Sequence, residues 1–113
     1  MQEENHSQMV RSILLELGIP PHHLGFKMLN AAILKYAKNN TQSATKELYP
    51  ELAKEFGYHT SYSKATLVER PIRYSISESW NKRNPEIWNR YFVSGVKAPS
   101  NMVFISTLAE KIK

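Results

Sequence analysis

Apolar residues recur along this chain at helical spacing, interrupted by glycine, proline and asparagine, and no alternating apolar and polar run is long enough to demand a strand. The pattern predicts an all-α fold, a compact bundle of about six helices. Met9, Val10, Ile13, Leu14 and Leu17 form one stripe behind Ser7, and Gly18 with Pro20 and Pro21 stops that helix. Residues 1–6 are expected as a disordered polar tail. A second stripe of Phe26, Leu29, Ile33 and Tyr36, with Ala32 and Ala37 beside it, ends at Asn39 and Asn40. Pro50 cannot sit in a helix interior without losing a backbone hydrogen bond, so it is expected in the first turn of a helix over 50–56. Leu52, Ala53 and Phe56 would pack inward there, Gly57 would supply the left-handed residue after the end, and 43–49 would be a short feeding helix.

The stretch GYHTSYSKA at 57–65 has no aliphatic residue larger than alanine and reads as a loop. Beyond it Leu67, Val68, Ile72, Ile76 and Trp80 fall at helical spacing, leaving Glu69, Arg70, Arg73, Tyr74 and Ser77 to face outward. Asn84 is expected to cap a helix with Pro85 in its first turn, carrying Ile87, Trp88, Tyr91 and Phe92 and ended by Gly95. Ser100 would cap a final helix bearing Phe104, Ile105, Leu108 and Ile112, with Lys111 and Lys113 near its negative end. At 113 residues the whole reads as a single domain, 1–113.

Charge changes this picture. The net charge is +5, and its excess lies in one half. Residues 1–59 hold six Lys or Arg against six Glu, whereas 60–113 hold nine against four. A polyanion-facing surface on one side of a small domain would have this imbalance. Two short helices in succession, the second basic on its outward face, are the pattern of a helix-turn-helix whose second helix enters the major groove. Arginine can donate two hydrogen bonds to guanine O6 and N7, and glutamate can accept from the cytosine amino group. Glu69, Arg70, Arg73 and Tyr74 are therefore the candidate base contacts, and Lys64, Thr66, Lys82, Arg83 and Arg90 the candidate phosphate contacts.

Other chemistry lacks its parts. There is no Cys, so neither disulfides nor thiolate metal ligands arise, and no stretch is apolar for long enough to span a bilayer. The polar, acidic start is unlike a signal peptide, and the chain reads as cytoplasmic. His22 and His23 are adjacent and would point about 100° apart on a helix, with no Cys or Asp to complete a metal site. They read as loop histidines, as does His59. There is no Asp, no G-x-S-x-G elbow and no Gly-rich phosphate loop, so neither an enzyme nor a cofactor is expected.

LYPELAKEFG at 48–57 followed by VERPIRYSISESW at 68–80 closely resembles the helix-turn-helix of the C-terminal effector domain of the stage-zero sporulation response regulators. The likeness continues in ILLELGIPPHHLGFKML at 13–29 and APSNMVFISTLAEKI at 98–112. It implies a transcription regulator that binds a short box in double-stranded DNA, often as a homodimer on tandem sites. Base contacts would fall on Glu69 and Arg70, with Arg73 on a base or a phosphate. The segment after the recognition helix, residues 81–92, would meet the sigma subunit of RNA polymerase. The chain departs from the family in four ways. No receiver domain is expected before it, its turn between the two helices is longer, Tyr74 replaces a histidine, and Pro71 replaces an alanine. Pro71 deletes a backbone donor, so the helix is expected either to kink or to restart there, with Glu69 and Arg70 in its entry turn. Two functions follow: a sequence-specific DNA-binding regulator, or a receiver-less interaction module that pairs with the full-length regulator and modulates it.

Overall fold

Seven helical segments follow one another in the computed structural model, which describes residues 2–40, 43–58, 64–93, 95 and 97–112, without the side chains of 2–4, 44, 45 and 64. They are α1 (Gln2–Glu16), α2 (Leu24–Lys38), a π-helical turn (Ala44–Leu48), α3 (Tyr49–Glu55), α4 (Lys64–Asn81), α5 (Pro85–Trp88) and α6 (Asn101–Ile112). No strand occurs among the described residues. The radius of gyration is 13.4 Å, close to the roughly 13 Å of a globule of this length.

Local chemistry sets several boundaries where the pattern places them. Gly18 and Gly57 both have φ of 87°, a backbone angle that costs glycine little. Each closes a Schellman motif. Ile19 N–H donates to the Leu14 carbonyl (3.0 Å) and Gly18 N–H to that of Leu15 (3.0 Å), while Tyr58 and Gly57 bond Ala53 (2.8 Å) and Lys54 (3.1 Å) in the same way. Asn84 Oδ1 accepts from Glu86 N–H at 3.0 Å, and Ser100 Oγ from Val103 N–H at 3.2 Å, so both expected caps form.

Other boundaries differ. Residues 2–6 are helical rather than a tail; Gln and Glu are good helix formers, and they extend the turn that the apolar stripe nucleates. The segment before α3 is π-helical, with Leu48 N–H reaching the Ser43 carbonyl at 3.0 Å and Pro50 at the start of α3. α5 stops at Trp88, and the chain reaches Phe92 through hydrogen-bonded turns, so Gly95 does not end a helix. Trp88 anchors this turn in the core. Its ring is buried, its Nε1–H donates to the Leu17 carbonyl at 3.0 Å, and its centroid lies 5.5 Å from Phe92 and 6.0 Å from Phe104.

α2 is the central element and packs on α1, α4 and α6. Met28, Leu29 and Ile33 are fully buried in one core with Leu14 of α1, Leu17 just past its end, Val68 and Ile72 of α4 and Phe104 and Ile105 of α6. α3 lies against α4 as the first helix of the helix-turn-helix and is tied to α2 by Lys35, which pairs with Glu55 at 3.0 Å. α2 crosses α4 at Gly25. A Cβ there would lie 2.8 Å from Ser75 Cβ and collide with Ser75 Oγ and the Pro71 carbonyl oxygen. Ser75 and Ser79 are buried on this seam. Ser79 Oγ donates to the Gly18 carbonyl at 3.3 Å, and Ser75 Oγ shares a hydrogen bond with His23 Nδ1 at 3.1 Å.

Two stability effects follow. Gly→Ala inside a helix ordinarily stabilises, but Gly25→Ala should destabilise by about 1–3 kcal/mol because a backbone oxygen must move; urea denaturation would show this as a lower midpoint. Trp88→Phe keeps the aromatic volume but strands the buried Leu17 carbonyl, and should cost about 1–3 kcal/mol in the same measurement.

Candidate nucleic-acid interface

α4 is an 18-residue amphipathic helix whose two faces are built from different chemistry. Val68, Ile72, Ser75, Ile76 and Ser79 are buried, while Arg70, Arg73, Tyr74 and Ser77 are exposed on the opposite side, with half-buried Thr66 at its start. Pro71 does not restart the helix: α4 begins at Lys64 and continues through it. The proline lacks the N–H that would bond the Leu67 carbonyl, so the helix spends one hydrogen bond there. Packing of Val68 and Ile72 on α2 and α3 outweighs that loss.

Glu69 stands apart from the outward residues. It lies on the flank of α4, with 30% of its side chain exposed, and its carboxylate meets the Arg73 guanidinium at 3.0 Å. An i,i+4 pair of this kind is worth only about 0.3–0.5 kcal/mol in solvent, so Arg73 can exchange it for another anion. Arg70 has no ion pair among the described residues.

Both flanks of this face are held by other helices. On one side His23, at the start of α2, contacts Ser75 as above and packs its ring 5.5 Å from that of Tyr74. His22 stacks edge-on against His23 at 4.9 Å. On the other side α6 begins beside Glu69. The Asn101 carboxamide Nδ2 donates to the Glu69 carbonyl at 3.1 Å and to the Tyr49 hydroxyl at 3.3 Å. Burial pushes the Tyr49 phenol above its ordinary pKa; the Asn101 bond opposes the rise and the nearby Glu69 charge adds to it. A shallow groove between α4 and the α6 start is lined by Glu69, Arg73, Ser77, Ala98, Ser100 and Met102.

The candidate phosphate ligands divide by what already holds them. Lys82 is 81% exposed, with Glu78 at 3.9 Å. Arg83 lies 3.7 Å over the Trp80 ring and donates from Nη1 to the Trp80 carbonyl at 2.9 Å, closing the end of α4. Arg90 pairs with Glu16 at 3.2 Å, and the Tyr91 hydroxyl bonds the same carboxylate, tying the α5 turn to α1. Thr66 sits in the first turn of α4. The Lys64 side chain, His59 and Tyr62 lie outside the described residues.

Periodicity alone misses His23, Tyr49 and Asn101. His23 follows two prolines and Asn101 follows a capping serine, contexts that read as turn and cap, and neither carries a signal for the distant helix it touches.

Residues 10–112 match the family described as Sporulation initiation factor Spo0A C terminal, from the middle of α1 to the last turn of α6. The match takes in every element that shapes the α4 face, so the chain belongs to that family of sporulation-initiation DNA-binding effector domains.

Proposed function

We propose that the protein is a sequence-specific DNA-binding transcription regulator that inserts the exposed face of α4 into the major groove. The observation that carries this reading is the composition of that face: Arg70, Arg73, Tyr74 and Ser77 stand clear of a buried apolar and serine face on one helix. Every exposed group there is a donor, an acceptor or a stacking surface. Arg70, without an ion pair among the described residues, reads guanine, and Glu69 and Arg73 exchange their mutual pair for base edges or phosphate. Tyr74, 58% exposed, contributes ring and hydroxyl.

Lys64, Thr66 and Lys82 flank that face along the helix axis and take the phosphate role. The reading gives Arg83 and Arg90 to the fold first, because Trp80 and Glu16 hold their guanidiniums. Two copies occupying tandem boxes, and a contact from residues 81–92 to the RNA polymerase sigma subunit, belong to the same reading; Lys82, Glu86, Asn89 and Arg90 are exposed in that segment.

Titration against a duplex carrying the family's box and a scrambled duplex, over a salt series, tests this. The box should bind more tightly, and log K should fall linearly with log salt. Arg70→Ala should remove about 1–3 kcal/mol of discrimination, whereas Lys82→Ala should weaken both duplexes alike and reduce the salt slope by about one. Equal affinity of the natural protein for both duplexes would sink specific reading. A Pro71→Ala variant that alone acquires strong binding would favour an interaction module instead.

A further inference from the structure

A helix-turn-helix ordinarily fixes its second helix by two backbone devices, and this chain weakens both. The first is a tight turn of about three to four residues that dictates the angle between the helices. Here α3 ends at Glu55 and α4 begins only at Lys64. The second is the unbroken ladder of the recognition helix, in which Pro71 removes one donor between the residues that open α4 and the rest of it. Glu69 and Arg70 sit on the opening side of that break.

We propose that Asn101 is a positioning residue that supplies the missing restraint, clamping α3 and the opening half of α4 together so that Glu69 and Arg70 are presented at a fixed angle. The chemistry suits the task. A carboxamide NH2 has two hydrogens, and Nδ2 spends them on the Tyr49 hydroxyl of α3 and the Glu69 carbonyl of α4. A backbone carbonyl has two lone pairs, so the Glu69 oxygen accepts from Asn101 without giving up a helical partner. Because the clamp grips the main chain, it leaves the Glu69 carboxylate free to pair with Arg73. The anchor is rigid: Ser100 caps the helix that carries Asn101, and Phe104 and Ile105, one turn further on, are fully buried. The substitution Asn101→Asp would keep the shape but remove both donors, and would set a carboxylate against the Glu69 carbonyl and carboxylate.

The consequence for DNA discrimination rests on the reading of α4 given above, and the test separates the two. Backbone amide hydrogen exchange by NMR and the box-to-scrambled affinity ratio would be measured for the natural protein, Asn101→Ala, Asn101→Asp, Pro71→Ala and the Asn101→Ala/Pro71→Ala double variant. Loss of the two hydrogen bonds should speed exchange at Val68, Glu69 and Arg70 about tenfold, with Met28 to Ile33 and Phe104 to Leu108 changed by no more than about twofold. The affinity ratio should fall about fivefold or more, with the scrambled duplex bound as before. Pro71→Ala, which restores the ladder, should recover most of both losses in the double variant. Exchange that quickens equally in every helix, or not at all at Val68 to Arg70, would overturn the clamp. So would a normal affinity ratio in Asn101→Ala, or a double variant no better than the single one. If the natural protein itself fails to distinguish the duplexes, the DNA reading falls and the exchange pattern alone decides the clamp.

Discussion

The close passage of α2 over α4 at Gly25 is the constraint on which the remaining geometry depends. α2 touches α1, α4 and α6, so its distance from α4 determines how far the exposed face of α4 stands out from the bundle. That distance is set by the missing side chain at Gly25 and the small Ser75 beneath it, backed by the Pro71 carbonyl. Close-packed interiors transmit such a displacement instead of absorbing it. The two buried serines would be liabilities in an apolar seam, yet each finds a partner on the α1–α2 connection, at His23 and at the Gly18 carbonyl. The seam is thus narrow and polar-satisfied together, a combination that leucine or alanine could not provide.

Pro71 illustrates how a tertiary setting overrides a local rule. Helix interiors disfavour proline by about 3 kcal/mol relative to alanine. Burial of Val68 on one side and of Ile72 and Ile76 on the other holds the backbone helical across it. The same carbonyl that belongs to Pro71 forms the floor under Gly25, so the residue is integrated into the seam and is no mere interruption of it.

Much of this architecture was legible from the sequence because it is written locally. A glycine after an apolar stripe, an asparagine before Pro85 and a serine before the last stripe each act within a turn of their own position, and Gly18, Gly57, Asn84 and Ser100 take the parts expected of them. The burial of Ser75 and Ser79 was not legible, since their partners lie 52 and 61 residues away. The outward placement of Arg70, Arg73, Tyr74 and Ser77 follows from the 3.6-residue period alone. Glu69 does not follow from it, because a residue at the edge of an apolar stripe turns out or in according to what packs beside it, here the start of α6. Arg83 and Arg90 show the converse: their charge is visible in the sequence, but the ring and carboxylate that occupy them are visible only in three dimensions.

On the proposed DNA reading, the Glu69–Arg73 pair would make binding an exchange of partners. The guanidinium edge that meets the carboxylate at 3.0 Å would have to leave it before turning to a phosphate or a base, and added salt weakens that internal attachment as well as the external one. The steepness with which affinity declines in salt would therefore undercount the anions that α4 touches. On the proposed reading the carboxylate would act as a resident counterion on the exposed face of α4, yielding to a surface that satisfies Glu69 and Arg73 together.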